Sequence, residues 1–311
     1  MEKALLNKNL FEEAVLELST LRDMLRWGMS QFYAENIYFG HGTDNAWDEA
    51  VQLVLHTLHL PLDVNKHVLD ANLTTSERKK IAKLFYRRIS ERIPAAYLTH
   101  EAWFGGLKFY VDERVLIPRS PLSELIEQQF SPWILAEKVE SVLDLCTGSA
   151  CIAIACAKAF PEAMIDAVDI SADALAVAKQ NVDQHGLTEQ VHLIQTDLFD
   201  KLGNKKYDVI ISNPPYVAEY EMKALPQEYR HEPALGLAAG EEGLDIAIKI
   251  LQQAEQYLTD EGILIVEVGN SEIALAQRYP TVPFTWLEFQ RGDGGVFLLT
   301  AKQLRKYKKI F

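Results

Sequence analysis

Tyr207-Asp208-Val209-Ile210-Ile211-Ser212-Asn213-Pro214-Pro215-Tyr216 is the stretch on which the fold of this chain turns. A run of β-branched residues closed by two prolines predicts a buried strand that stops abruptly. Asn213 precedes a proline and is therefore held extended. Pro214 and Pro215 fix two φ angles and bring no N–H, so their backbone offers acceptors alone. Asn213 adds a side-chain carbonyl, and Tyr216 sets a flat ring beside it. Rigid acceptors next to an aromatic face suit a planar NH2 group, with both hydrogens gripped, the π-face stacked and the lone pair aimed. Such a nitrogen is a poor nucleophile in water, and positioning is what it lacks. Asn-Pro also begins ordinary turns, so the flanking sequence has to decide between the two readings.

Working outward, strands alternate with helices from about residue 119. Strands are expected at Ser141–Cys146, Met164–Val168, Val191–Gln195, Val209–Ser212 and Gly262–Val268, with helices at Cys151–Phe160, Ala172–His185, Leu244–Leu258 and Glu272–Arg278. Thr285–Phe289 and Val296–Thr300 read as a closing hairpin around Arg291-Gly292-Asp293-Gly294-Gly295. That order predicts an α/β fold, a doubly wound, mostly parallel sheet with an antiparallel end, whose ligand sits at the carboxyl ends of the strands.

The first of those strands runs into Asp144-Leu145-Cys146-Thr147-Gly148-Ser149-Ala150-Cys151. Small residues let the backbone approach a ligand, but a single glycine cannot match a dinucleotide fingerprint, and there is no phosphate loop. An acid at its start and no lysine suit a cationic ligand without phosphates, such as S-adenosylmethionine. Asp169 closes the second strand, where a carboxylate can take both ribose hydroxyls. Asp197 follows the third, placed for an adenine amino group with Leu198 packed on the ring. Each acid alone is an ordinary turn or cap residue; all three at strand ends form a pattern.

Residues 1–92 read as a helical domain, with one helix from Phe11 to Met29, others near Ala46–His59 and Val64–Ala71, and a fourth from Thr75 or Ser76 to about Ile89. Arg78, Lys79, Lys80, Lys83, Arg87 and Arg88 cluster on that fourth helix and read as a solvated basic face, with a patch touching RNA or a partner as the alternative. His56 and His59 have no acidic or Cys neighbour in sequence and read as ordinary helix residues. Residues 93–117 form a connector, a hairpin from Tyr97-Leu98 and Trp103-Phe104 through Gly105-Gly106 to Leu107–Val111. Residues 118–311 make the catalytic domain, and the segment after Lys302 reads as a solvated basic end.

The 311 residues are 48% hydrophobic and 24% charged, which fits a soluble globular chain without a membrane span or signal layout, and a cytoplasmic location. Cys146, Cys151 and Cys156 lack zinc-site spacing and read as small buried residues, with no metal and no disulfide. Net charge is −13: residues 1–90 carry 11 Lys+Arg against 12 Asp+Glu, so −1, and the remainder 20 against 32, so −12. An acidic catalytic portion is a poor partner for nucleic acid and suits a basic protein.

Asp144–Cys151, Asp169, Asp197 and Asn213–Tyr216 together resemble a class I S-adenosylmethionine-dependent methyltransferase, with a Rossmann-like sheet. Ile117-Pro118-Arg119, His231-Glu232-Pro233-Ala234-Leu235, Gly240–Asp245 and Glu267-Val268-Gly269 narrow this to the HemK-like protein-glutamine methyltransferases. Asp-Leu-Cys-Thr-Gly-Ser at 144–149 and Trp286-Leu287-Glu288-Phe289 resemble the branch acting on large-subunit ribosomal protein three, the PrmB type. The resemblance implies methyl transfer to a glutamine side-chain nitrogen, leaving S-adenosylhomocysteine. It implies catalytic roles for Asn213, Pro214, Pro215 and Tyr216. Cofactor contacts are implied for Asp144, Leu145, Cys146, Thr147, Gly148, Ser149, Cys151, Asp169, Ile170, Asp197, Leu198 and Asn213. Its runner-up is the Gly-Gly-Gln glutamine of release factors; adenine N6 methylation of nucleic acid and a silent nucleoside-binding module are more distant. Ala150 stands where the family has glycine, and is expected inside the first helical turn, where alanine is harmless.

Overall fold

The computed structural model describes residues 2–290 and 294–311, so Arg291, Gly292 and Asp293 of the expected Gly-rich turn lie outside the described residues. The chain forms two compact units, Met1–Glu101 with Pro226–His231, and Ala102–Leu225 with Glu232–Phe311.

The first unit packs α1 (Glu2–Glu17), α2 (Leu21–Ala34), α3 (Ala46–Thr57), α4 (Thr75–Ser90) and α5 (Ala95–Thr99) around Met24, Leu25, Phe32, Leu53, Ile81 and Phe85. The continuous helix expected from Phe11 to Met29 is instead broken at Leu18–Thr20. Thr20 caps α2: the Asp23 N–H donates to Thr20 Oγ1 at 3.1 Å, and the Thr20 N–H to Asp23 Oδ2 at 2.8 Å. That reciprocal pair makes starting a new helix cheaper than continuing the old one. Where α2 crosses α4, a Cβ on Gly28 would lie 2.5 Å from the Phe85 ring, so only glycine admits that approach. The expected third helix is a 3-10 segment, Lys66–Asp70. Tyr97 and Leu98 lie in α5, which starts after Pro94, rather than in a strand.

Arg88 corrects the basic-face reading. It is fully buried, with Nε on Glu49 Oε1 at 2.5 Å, Nη1 on Glu228 Oε1 at 3.2 Å and Nη2 on the Tyr38 carbonyl at 2.7 Å. Glu228 reaches this unit from the distant segment Pro226–His231. His56 does meet an acid, Glu101 at 3.4 Å, 45 positions further along.

The second unit opens with a hairpin, β1 (Ala102–Phe104) and β2 (Leu107–Phe109), whose turn glycines Gly105 and Gly106 both have positive φ. Its main sheet has the order β5-β4-β3-β6-β7-β9-β8. The strands are β3 (Ser141–Leu145), β4 (Met164–Asp169), β5 (Val191–Gln195), β6 (Tyr207–Ser212), β7 (Leu258–Glu267), β8 (Thr285–Leu287) and β9 (Val296–Thr300). The first five are parallel; β9 runs antiparallel to β7, and β8 to β9. Successive residues face opposite cores: Val209 and Ile211 pack with Ile263 and Ile265, while Ile210 packs with Leu264 and Val266 on the other side. Burial on both faces is why these strands read as continuous apolar runs. Around the sheet lie α6 (Leu122–Glu127), α7 (Cys151–Ala159), α8 (Ala172–His185), α9 (Glu219–Met222), α10 (Asp245–Gln253), α11 (Glu272–Arg278) and α12 (Ala301–Tyr307). The last takes in the start of the expected basic end, whose Arg305, Lys306, Lys308 and Lys309 are exposed. Thr300 and Gln303 form its capping box, and Ala301 and Leu304 are buried beneath it.

Candidate active site

Strand order reverses beside β3: the chain runs outward through β4 to β5, then crosses to β6 and β7 on the other flank. A crevice opens at such a point, outside the carboxyl ends of the strands. Here it is a cavity of about 290 Å³. Cys146, Thr147, Gly148, Ser149 and Cys151 line it after β3, Asp169 and Ile170 after β4, Asp197 and Leu198 after β5, and Asn213 and Pro215 after β6. The facing wall comes from Ile117–Ser120, Pro233 and Leu235, with Ile246 and Lys249 of α10. Of the residues singled out in the sequence, Asp144, Leu145, Pro214 and Tyr216 do not line the cavity.

Asp144 stands behind the loop. It is completely buried; its Oδ2 accepts from Thr147 Oγ1 at 2.5 Å and from the Ala153 N–H at 3.1 Å. Its Oδ1 has no partner among the described residues. Burial pushes this carboxyl up to about 7, against the pull of the Thr147 and Ala153 hydrogen bonds. Asp169 ties two strand ends together, Oδ2 accepting from the Gly148 N–H and Oδ1 from the Ser171 N–H, each at 2.9 Å. It too is raised by burial, with those amide bonds opposing. Asp197 is exposed, while the neighbouring Thr196 Oγ1 is buried without a partner.

The expectation for Ala150 is overturned. It lies at φ +63°, ψ 22°, at the cap of α7 and outside its first turn. Cys146, at the other end of the loop, has φ +59°. Left-handed geometry costs an L-residue roughly 1–2 kcal/mol, so this loop is strained at both ends, around Gly148 at φ +55°. The tight strand-to-helix turn imposes that geometry whichever residue occupies it.

Two clamps were missed in the sequence. Asn181 of α8, fully buried, accepts from the Tyr110 N–H at 2.7 Å and donates to the carbonyls of Tyr110 (3.0 Å) and Ser149 (2.9 Å), joining the hairpin to the cavity loop. Glu232 accepts from Arg119 Nη1 at 2.6 Å and Nη2 at 2.9 Å, and from the Ile117 N–H at 3.1 Å, so two distant wall segments hold each other. An Asn inside a helix was the only sequence signal for the first; the segments of the second, Ile117–Arg119 and His231–Leu235, were quoted as family motifs, but nothing in the sequence paired them.

At the β6 end, Ser212 Oγ donates to the Leu145 carbonyl at 2.8 Å, fixing the start of Asn-Pro-Pro-Tyr against β3. Asn213 lines the cavity, and its Oδ1 is buried without a hydrogen-bond partner. Tyr216 follows just outside the cavity lining, its hydroxyl donating to Glu267 Oε1 at 3.0 Å. The cysteines are free; burial raises all three thiols, Cys151 to about 12, which leaves them neutral rather than nucleophilic. Among the described residues no group of three or more His, Cys, Asp or Glu side chains is placed to hold a metal, and no helix is long and apolar enough to cross a membrane.

A family model described as "Methyltransferase small domain" matches residues 125–228. A protein called "Ribosomal protein uL3 glutamine methyltransferase" from Francisella tularensis subsp. tularensis (strain SCHU S4 / Schu 4) is 49% identical over 301 residues, 96% of this chain and 96% of its own. One of the same name from Neisseria gonorrhoeae (strain ATCC 700825 / FA 1090) is 52% identical over 296 residues, 95% of this chain and 99% of its own. A solved structure titled "Crystal structure of hMettl16 catalytic domain in complex with MAT2A 3'UTR hairpin 6" is 19% identical, covers 72% of this chain and 80% of its own, and has a TM-score of 0.49.

Proposed function

The chain belongs to the ribosomal protein uL3 glutamine methyltransferase family, and from that premise we propose that it moves a methyl group from S-adenosylmethionine to the side-chain amide nitrogen (N5) of a glutamine in uL3, large-subunit protein three. The observation that carries the proposal is the buried, unpartnered Oδ1 of Asn213 beside the cavity. A buried acceptor left unmade costs about 1–3 kcal/mol, and a carboxamide N–H from the substrate repairs it.

The residues present fit the methyl donor. Thr196 Oγ1, in the cavity lining after β5, is buried without a partner, and the β3 loop contains no lysine. Cys146–Ser149, Cys151, Asp169, Ile170, Asp197 and Leu198 would hold it, with Asp144 and Leu145 supporting the loop from behind. When bound, S-adenosylmethionine supplies a sulfonium-activated methyl carbon.

The chain's own work is to orient the amide. Asn213 Oδ1 and the Pro214 carbonyl accept its two N–H bonds, and Tyr216 stacks on its plane. As the nitrogen becomes tetrahedral and positive, those acceptors bind it more tightly, which is stabilisation felt mainly in the transition state. The nitrogen gains the methyl and releases one proton to water; the product proton is acidic enough that no strong base is needed. Losing the Asn213 acceptor costs about 2.7–4 kcal/mol by analogy with oxyanion-hole donors. Asn213→Ala is therefore expected to lose about 10²–10³-fold in kcat while still binding S-adenosylhomocysteine in calorimetry; near wild-type turnover would defeat this role. Radiolabelled methyl donor offered with uL3 and with release factor separately, followed by sequencing of the labelled peptide, tests the substrate. Label on the release factor alone would transfer the assignment to the other branch.

The −12 balance of residues 91–311 supports a basic protein substrate over nucleic acid. Residues 1–92 are proposed to recognise that protein, joined through residues 93–117 to the catalytic portion 118–311. Leu16, 79% exposed on α1, is an apolar contact candidate on the helical surface. Leu16→Asp is expected to raise KM for the protein substrate and leave cofactor binding unchanged, as measured by initial rates and calorimetry.

A further inference from the structure

Glu267 is the last residue of β7, buried to 5% exposure at the carboxyl end of the sheet, and the cavity does not touch it. Its Oε1 accepts from the Tyr216 hydroxyl at 3.0 Å and its Oε2 from Ser120 Oγ at 2.5 Å. Ser120 Oγ in turn accepts the Leu122 N–H at 3.1 Å, so its own hydrogen is committed to the carboxylate. Both oxygens are thus met by hydroxyl donors, an arrangement that suits the ionised form.

Tyr216 is confined from two further directions. A Cβ on Gly269, at φ +46°, would stand 2.6 Å from the Tyr216 ring, so the glycine backbone packs directly against the ring. Gly269 is backed in turn by Gly295, whose own Cβ would fall 2.2 Å from the Gly269 carbonyl oxygen. Ser271 Oγ lies 3.1 Å from the Tyr216 carbonyl and donates there or to the Glu242 carbonyl at 2.9 Å. We infer that Glu267 is a positioning residue for the methyl-transfer reaction: its carboxylate fixes the Tyr216 hydroxyl, and the Gly269–Gly295 backbone fixes the ring, so that Tyr216 presents one face to the substrate amide. This rests on the reading of Tyr216 as the stacking residue. A charged carboxylate is kept in the apolar strand end because a phenol anchored only by packing can pivot about its Cα–Cβ bond. Small displacements of a group touching the reacting atoms lose rate steeply.

The test combines Tyr216→Phe, Glu267→Met and their double variant with Glu267→Gln, which keeps one acceptor oxygen. Glu267→Met and Tyr216→Phe are each expected to lower kcat by about 10-fold to 10²-fold, with S-adenosylhomocysteine affinity held within about twofold. The double variant is expected to be no slower than the slower single one, because both remove the same bond. Glu267→Gln is expected to recover most of the lost rate. Multiplicative losses in the double variant, or a Gln variant as slow as the Met variant, would overturn the inference. A fluorotyrosine placed at position 216 gives a readout independent of substrate. Its fluorine resonance is expected to shift and broaden in Glu267→Met and stay near wild type in Glu267→Gln; an unchanged resonance in Glu267→Met would also overturn it. If the wild type fails to label uL3 while the fluorine signal behaves as described, the substrate reading falls and the positioning role stands.

Discussion

The Arg88 cluster of the helical unit and the strand ends of the sheet bury carboxylates in opposite ways, although the second unit also pairs buried Glu232 with Arg119. In the helical unit, Glu49 and Glu228 surround Arg88, and Arg92 adds a second guanidinium 3.4 Å from Glu228. Burial raises Glu228, but its backbone hydrogen bond and the Arg88 charge outweigh that and leave it below the usual range. At the carboxyl end of the sheet, Asp144, Asp169 and Glu267 receive only neutral donors, namely hydroxyls and backbone amides, and all three are raised by burial. A buried charge matched by an opposite charge is a structural joint. One held by neutral donors has no opposite charge to compensate it, and here such groups sit at the strand ends, with Asp169 in the cavity lining and Asp144 and Glu267 behind it.

The contrast can be broken most severely at Arg88. Arg88→Met should destabilise the helical unit by about 3–5 kcal/mol, since buried Glu49 loses its Arg88 partner and Glu228 keeps only Arg92; denaturant melts read it. Glu267→Met, leaving two hydroxyls unsatisfied, should cost no more than about 1–3 kcal/mol. Gly269→Ala is next. Its methyl group collides with the Tyr216 ring at a left-handed backbone position, and kcat should fall by about 10²-fold with the fold retained, as read by single-turnover labelling and circular dichroism.

Acid sharpens the comparison, because the two sets respond with opposite sign. The depressed Glu228 contributes stability above its ordinary value near 4.5, and that contribution is lost as pH falls through its lower folded value. Asp144, raised from 3.8 to about 7, binds its proton more tightly in the folded state, so its unit loses stability as pH rises from about 4 through about 7, by at most ~1.4 kcal/mol per pH unit. Segment-resolved hydrogen exchange should show α4 weakening at acid pH while β3 strengthens, and Asp144→Asn should flatten the β3 trend. The smallest effect concerns the strained loop behind which Asp144 sits. Ala150→Gly relieves a left-handed alanine and should raise stability by ~1 kcal/mol, or about 2–4 °C in Tm by calorimetry.

Much of this organisation was legible. α8 and β5 fall where the sequence placed them: Ser171 caps α8, its hydroxyl accepting from the Ala174 N–H, and Gly186 ends that helix in the left-handed region. These are local signals, carried within a few residues. Helix α10 ends at Gln253, five residues before the expected limit, because the chain tightens into a 3-10 turn at Ala254–Gln256 and Leu258 already begins β7. The Ala150 expectation failed because a residue's φ in a strand-to-helix turn is set by where the strand must end and the helix begin. Arg88 failed differently, since its partners lie 39 and 140 positions away.

Sequence alone determined the alternation of strands and helices, and it pointed to a candidate site at the strand ends and to the acceptor character of Asn213–Tyr216. Period, proline and side-chain chemistry act over distances shorter than a helix, and the one-dimensional pattern records them. Tertiary structure alone decided that Asp144 supports the loop from behind, that Glu267 grips Tyr216 from 51 positions away, and that Arg88 is buried. Those outcomes depend on which distant groups share one low-dielectric space, and only packing of the folded chain brings them together.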